Sequence, residues 1–437
     1  MAQIYRPSAK RPQQQVLRNQ PVKALNHQGQ GIVASAQGVR FVSGALAGEL
    51  IDFRSEGKHQ GKLLNIQQAA ADRVIPACKY YDACGGCDLQ HLALEQQREH
   101  KQQVVVELMA KFADVTAQSW LPPLGADAWR YRRRLRLACH WDRKRQRLTL
   151  GLRAAQSKQI VAIEDCLVAQ EQITALLASL RATLAKLQSP EQLGHVELIH
   201  VDRTIVLLRL TASVSAADKA LLEKFAERQH VDIWLHCAEQ PPQPLLPQQQ
   251  LPRYQSSQLM LEFQPGDFLQ AHVNLSLTMV EQALTWLDPQ AGESILELYA
   301  GSGNFTLPIA LTGAQVTAIE GVPSMVERLR ATAQQQKLRV TAVHADLEQN
   351  WRHYPWAQQR FDKVLLDPAR AGAPHAITEI AQRQPRRVIY VSCAPDTLAR
   401  DAKQLRAAGY QLKQAQIIDM FPQTHHIECL TWFEREA

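Results

Sequence analysis

Two hydrophobic rhythms divide the chain. Between Val22 and about Ile66, short apolar–polar alternations at 24–27, 31–34, 39–42 and 49–53 are separated by glycine-bearing turns. That text predicts a small β-barrel of the oligonucleotide-binding (OB-like) kind. Residues 92–112 carry helical spacing, with Val104, Val105, Leu108 and Met109 on one side. Residues 130–168 are strand-rich, because 134–138 and 147–150 alternate. Helices are expected over 170–187 and 216–229, and strands over 196–200 and 205–210, so the middle region is α+β. Residues 238–253 are rich in Pro and Gln and predict a linker or exposed loop. From Leu261 the rhythm changes. Strands at 294–299, 315–320, 340–344, 361–367, 387–392, 415–420 and 429–433 alternate with helices, the pattern of a doubly wound, Rossmann-like α/β sheet. The expected organisation is multidomain α/β: a disordered basic arm at 1–20, the barrel at 21–72, a central α+β domain at 73–260 and the α/β domain at 261–437.

Composition narrows the classes. The chain has 437 residues, 46% of them hydrophobic, enough for several buried cores. No run approaches the roughly 18 apolar residues of a membrane span. The N-terminus has no apolar signal region, so a cytoplasmic protein is expected and neither a membrane nor a secreted one. Lys and Arg number 49 against 42 Asp and Glu, a net charge of +7. No acid precedes Glu49, whereas Arg6, Lys10, Arg11, Arg18, Lys23 and Arg40 do. Between Arg130 and Arg147 stand nine basic residues and one acid, Asp142, with Tyr131 and Trp141 interleaved. Any one such run suits a solvated surface. Two of them favour RNA or DNA as the partner.

The segment from Ile295 to Thr306 runs from an apolar strand through Gly301 and Gly303 into a helix. Glu320 ends the next strand, placed to accept hydrogen bonds from two ribose hydroxyls. A dinucleotide and S-adenosylmethionine both suit this design. Thr306 stands where the dinucleotide pattern has its third glycine, and Asp367-Pro368 ends the fourth strand, which favours S-adenosylmethionine. Asp346, after the third strand, is placed to meet the adenine edge. Cys393 emerges at the end of the buried fifth strand, 387–392, where a nucleophile is a better reading than an inert thiol. Glu428 follows beside the last strand. With a methyl donor these two suggest one chemistry. A thiolate adding to C6 of uracil makes C5 nucleophilic, and a base then removes the C5 proton.

Three further cysteines, Cys78, Cys84 and Cys87, share one loop, with Cys166 a plausible fourth. The spacing suits a bound metal, and an iron–sulfur cluster somewhat better than zinc.

The motifs together resemble the bacterial RNA uracil-C5 methyltransferases, most closely the branch acting on 23S rRNA. They are Cys78-x5-Cys84-Gly-Gly-Cys87-x2-Gln90-His91, Trp129-Arg130-Tyr131-Arg132-Arg133-Arg134, Phe268-Leu269-Gln270 with Asn274, Gly303-Asn304-Phe305-Thr306, Asp367-Pro368-Ala369-Arg370, Ser392-Cys393 and His426-x-Glu428, in the family's order over nearly the whole chain. The resemblance implies a TRAM barrel at the N-terminus, an iron–sulfur-bearing central domain and a class I methyltransferase domain. It implies a [4Fe-4S] cluster on Cys78, Cys84, Cys87 and Cys166, and donor contacts from Gln270, Tyr299, Asn304, Glu320, Asp346 and Asp367. It further implies Cys393 as nucleophile, Glu428 as base, 23S rRNA as partner and a monomer, and it allows the helix after the cysteine loop to pack on the catalytic domain. The same chemistry on tRNA and a non-catalytic RNA-binding assembly factor are the alternatives. Two positions depart from the family pattern: Ala394 stands in place of Asn, and Ala300 in place of Cys before Gly301.

Overall fold

The computed structural model describes residues 15–35, 38–237, 240–247 and 250–435. The chain forms two compact units. One comprises Met1–Ala77, Cys87–His100 and Gln423–His425; the other comprises Cys78–Gly86, Lys101–Pro422 and His426–Ala437. The expected division at 260/261 therefore falls inside one unit. Among the described residues no helix is long and apolar enough to cross a membrane.

The first unit is built on a six-stranded sheet. Its order is Val16–Pro21, Leu50–Glu56, Gln60–Gln68, Gly38–Ser43, Gly31–Ser35, Ala24–Leu25. Val22, Val33, Val42, Ala45, Ile51 and Phe53 form its core. A Cβ at Gly61 would stand 2.6 Å from the Phe53 ring, so only glycine lets that strand cross so closely. The arm expected to be disordered over 1–20 is strand from Val16 onward. Residues 16–20 pair with Leu50–Glu56, because Val16, Leu17 and Gln20 find ladder partners there. Residues 1–14 lie outside the described residues.

The second unit contains a two-stranded sheet, Arg253–Ser256 with Leu259–Glu262, and two larger sheets. The first has seven strands in the order Ile160–Ala162, Arg147–Arg153, Arg134–Asp142, Leu193–His200, Thr204–Leu210, Asp232–Cys237, Gln243–Pro244. Its alternation sends Leu135, Leu137, Leu148, Leu150, Val196 and Leu208 into a core closed by Leu177–Leu184 and Ala216–Gln229. The helix expected over 170–187 is broken into Glu171–Thr174 and Leu177–Leu184. The stretch expected as a linker, 238–253, is not wholly loose. Gln243–Pro244 adds an edge strand, and Leu245 is buried in the core; residues 238–239 and 248–249 lie outside the described residues.

The second sheet carries the candidate chemistry. Its strands are β1 Ser294–Leu298, β2 Gln315–Glu320, β3 Val340–His344, β4 Lys363–Leu366, β5 Arg387–Ser392, β6 Tyr410–Ile418 and β7 Glu428–Arg435. The order is β3-β2-β1-β4-β5-β7-β6, with Ser119–Trp120 added beside β6. β1 to β5 are parallel, and β7 inserts antiparallel between β5 and β6. The helices α1 Val273–Leu287, α2 Thr306–Leu311, α3 Pro323–Gln335, α4 Pro374–Arg383 and α5 Pro395–Ala407 accompany it. Val105, Met109 and Ala113 join its core with Leu398, Leu405 and Tyr410. The segment carrying Met109–Ala113 is π-helical and stops at Asp114, which turns left-handed.

Candidate active site

Parallel strands bring their C-terminal ends to one edge, and a crossover sheet holds ligands there. β1 is apolar apart from Glu297 because both faces are covered: Ile295, Leu296 and Leu298 are buried. The chain then reverses through left-handed Tyr299 (φ 62°), Gly301 (φ 57°) and Gly303 (φ 99°). At Gly303 a Cβ would lie 2.5 Å from Leu329 Cδ1, so the turn needs its lack of a side chain as well as its positive φ. Glu320, at the end of β2, fastens the turn. One carboxylate oxygen accepts the Gly301 N–H at 2.9 Å and the other accepts the Val322 N–H at 2.8 Å. Ser256 Oγ donates to the Asn304 carbonyl at 2.9 Å, tying the far side of the turn.

Asp367 follows β4, and Cys393 follows β5. The Ser392 hydroxyl accepts the Ala394 N–H at 3.2 Å, and Pro395 starts α5 directly behind the thiol. β7 runs antiparallel to β5 with Cys429 opposite Ser392, which puts Glu428 at the level of Cys393. The three groups feel one another. Burial pushes the Cys393 thiol up to about 11, and the carboxylates of Glu428 and Asp367 add to the effect, with Arg370 acting against it. Burial raises Asp367 to about 7. Glu428 is raised well above the usual carboxylate range, by burial first and then by Asp367, while Arg370 again opposes.

A cavity of about 530 Å³ opens over this edge. Gln270, Tyr299, Asn304, Glu320, Asp367, Cys393 and Glu428 all line it. Seven residues chosen from the sequence thus share one chamber. Asp346 does not line it. Its carboxylate accepts the Glu348 N–H and the Gln349 amide, both at 3.0 Å, capping the turn after β3. Arg133, Tyr254, Phe268 and Arg370 also line the chamber and were not singled out by spacing. Arg133 stood inside a basic run, where nothing separates a buried arginine from an exposed one. Phe268 sits two residues before Gln270, lines the chamber and is 71% exposed.

The cysteine loop is folded on the second unit. Cys84 N–H donates to the Tyr80 carbonyl at 2.7 Å, and Gly85 N–H to the Arg153 carbonyl at 2.9 Å. Burial raises the Cys84 and Cys166 thiols. Cys78 adds to the shift of Cys84, and Cys84 to that of Cys166, so these three sulfurs lie within electrostatic reach in sequence. Gly86 N–H donates to Cys84 Sγ at 3.4 Å. Cys87 falls in the first unit. Among the described residues no group of three or more His, Cys, Asp or Glu is arranged to hold a metal ion.

Comparison with known proteins agrees with this geometry. A family model described as tRNA (Uracil-5-)-methyltransferase matches residues 93–345 and 349–436. A protein of Shewanella halifaxensis named 23S rRNA (uracil(1939)-C(5))-methyltransferase RlmD is 41% identical over 421 residues, covering 94% of each chain. One of the same name from Pseudomonas putida is 42% identical over 419 residues, covering 94% of this chain and 92% of its own. The crystal structure of Pyrococcus abyssi tRNA (uracil-54, C5)-methyltransferase, in complex with S-adenosyl-L-homocysteine, shares the fold. Its TM-score is 0.72 at 19% identity, over 95% of this chain and 100% of that one.

Proposed function

The chain belongs to the tRNA (uracil-5-)-methyltransferase family, and from that premise we propose that it transfers a methyl group from S-adenosylmethionine to C5 of a uridine in 23S rRNA. The observation that carries the proposal is the shared chamber. One wall is the Gly301–Gly303 turn with Glu320, and another holds Cys393 beside Glu428. The relatives that match 94% of the chain carry this reaction in their names.

Gln270, Tyr299, Asn304, Glu320 and Asp367 would hold the donor, with Asp346 shaping the turn beyond β3. When bound, S-adenosylmethionine supplies an electrophilic methyl group. The residues of this chain do the rest. The Cys393 thiol loses its proton to solvent, and the thiolate sulfur forms a bond to C6 of uracil. The C5–C6 π electrons shift towards C5 and O4, so that C5 takes the methyl group and the donor leaves as S-adenosylhomocysteine. Glu428, as carboxylate, then removes the C5 proton. The electrons of that C–H bond restore the C5–C6 double bond, and the bond from sulfur to C6 breaks, returning the thiolate.

On the same premise, Cys78, Cys84, Cys87 and Cys166 would carry a [4Fe-4S] cluster, and residues 21–72 would be a TRAM-type RNA-binding module. The proximity of the Cys78, Cys84 and Cys166 thiols and the Gly86 N–H···S bond support the first part. Protein purified anaerobically should contain iron and acid-labile sulfide; colourless protein with stoichiometric zinc overturns the cluster.

The function is tested by mass mapping of rRNA and tRNA from a deletion strain, with and without complementation. Loss of one 5-methyluridine from 23S rRNA, restored by the gene, is the expected result. Loss from tRNA alone would move the substrate, and no loss from either would end the proposal.

A further inference from the structure

Arg133 is a cation in an unusual position. It is 2% exposed, yet it lines the chamber. Two neighbours in the basic run have carboxylate partners: Arg130 pairs with Asp165 at 2.7 Å and Arg134 with Glu197 at 2.6 Å, while Arg132 donates to the Arg134 carbonyl at 3.0 Å. Arg133 has no such partner among the described residues. Its Nε donates to the Gln270 carbonyl at 2.7 Å, and its guanidinium lies 5.2 Å from the centre of the Tyr254 ring. The Nη groups meet no acceptor among the described residues. Burial pulls the group down to about 10, with no carboxylate acting against that pull.

Burying a guanidinium without a counter-charge is costly, and a protein retains one where a ligand supplies that charge. The planar fork matches a carboxylate or a phosphate through two parallel hydrogen bonds. The position is also fixed from the backbone side. Arg133 N–H donates to the Ala271 carbonyl at 3.1 Å, so the arginine and the segment bearing Gln270 move as one wall. The acids of the chamber, Glu320, Asp367 and Glu428, suit cationic and hydroxyl groups and leave an anionic group with Arg133.

We propose that Arg133 is the oxyanion-recognition residue of the chamber, taking either the carboxylate of the donor's amino-acid part or a phosphodiester of the RNA. The choice of these two sources rests on the methyl-transfer reading; the oxyanion chemistry rests on the buried, unpaired fork.

Arg133→Met removes the charge and keeps an apolar stem of similar length. Binding is read by calorimetry with S-adenosylhomocysteine, with 5′-methylthioadenosine, which lacks the amino-acid carboxylate, and with a 23S rRNA fragment at several salt concentrations. If the anion is the carboxylate, affinity for S-adenosylhomocysteine falls about 10- to 100-fold, while 5′-methylthioadenosine and RNA stay within about twofold. If it is a phosphodiester, RNA affinity falls about 10-fold and the slope of log Kd against log salt drops by about one, with both nucleosides unchanged. No change beyond about twofold in any of the three, in a protein that melts cooperatively, overturns the proposal. Should Arg133→Met not fold, Arg133→Lys is read in the same way. It keeps the charge but loses the fork, so a several-fold weakening of one ligand is expected and unchanged binding overturns. These readings do not need turnover. A wild-type protein that binds S-adenosylhomocysteine but methylates no rRNA would defeat the proposed function and leave Arg133 standing.

Discussion

Cys393 stands where a thiolate is hard to form. Its thiol is pushed to about 11 by burial and then by the carboxylates of Glu428 and Asp367. Removing one of those charges must ease ionisation. Glu428→Gln should therefore raise the rate at which iodoacetamide labels Cys393 at pH 8–9, followed by peptide mass mapping; a slower or equal rate would mean that Glu428 does not act on the sulfur. The same substitution removes the proposed base, so with RNA and donor it should accumulate an RNA–protein adduct that survives denaturation. Cys393→Ala should form no adduct and lose about 10³-fold or more in turnover while still binding RNA; undiminished turnover would remove its role. The proposed mechanism needs both groups ionised and both are raised, so kcat/KM should climb with pH across the neutral and mildly alkaline range; a fall over that range would contradict both assignments.

Glu297 carries a different consequence at the same scale. It is buried in the middle of β1, and burial raises it to about 8 from 4.5, with Asp367 and Glu320 adding to the shift. In the unfolded chain it ionises near its ordinary value; in the folded chain it keeps its proton until about pH 8. The unfolded state thus gains stability as pH rises between those values, and the fold loses at most ~1.4 kcal/mol per pH unit in that window. Glu297→Gln should flatten this part of the stability–pH curve, measured by urea denaturation at pH 5, 6, 7 and 8. An unchanged slope would show that Glu297 is ionised in the folded protein.

At the scale of elements, the catalytic sheet was largely legible in the sequence. Buried parallel strands are apolar on both faces and bounded by turns, so β1, β2, β3 and β5 stand where the runs put them. β6 begins at Tyr410, five residues before the apolar run at Ala415, because its first half alternates and gains cover from Tyr410 and Leu412 packing inward. Val16–Pro21 was not legible at all: its residues are mostly exposed, and only pairing with Leu50–Glu56 makes it a strand. The site followed the same division. Glu320, Asp367 and Cys393 end strands, and strand ends can be read. Gln270 and Arg133 line the chamber from irregular chain, where no periodicity points to them. Nor does periodicity show how Leu94–Leu108 is fixed. Lys101, fully buried on it, donates to Asp419 at 2.7 Å and to the Phe421 carbonyl at 3.0 Å, just beyond β6. Removing one partner takes a fully buried opposite charge from the other, so Lys101→Met should cost about 3–5 kcal/mol in chemical denaturation. Lys101→Met with Asp419→Leu should recover most of that loss. A single substitution costing under about 1 kcal/mol would show the pair to be dispensable.

On the scale of the molecule, charge is divided by task. The chain as a whole carries +7, with nine basic residues against one acid between Arg130 and Arg147. Arg136, Arg143 and Arg145 of that stretch have side chains 63%, 76% and 80% exposed. The chamber gathers Glu320, Asp367 and Glu428 instead. Exposed cations meeting a polyanion release counterions, and each phosphate neutralised adds to the salt dependence. A zwitterionic nucleoside held by buried groups releases none, and buried interactions are poorly screened. Affinity for a 23S rRNA fragment should accordingly fall by about 10²-fold or more between 50 and 200 mM salt. Affinity for S-adenosylhomocysteine should change by less than about threefold over the same range. Filter binding for the RNA and calorimetry for the nucleoside measure the two on one preparation. An RNA affinity as indifferent to salt as that of the nucleoside would mean that the exposed arginines do not touch the substrate, and that recognition rests on base contacts inside the chamber.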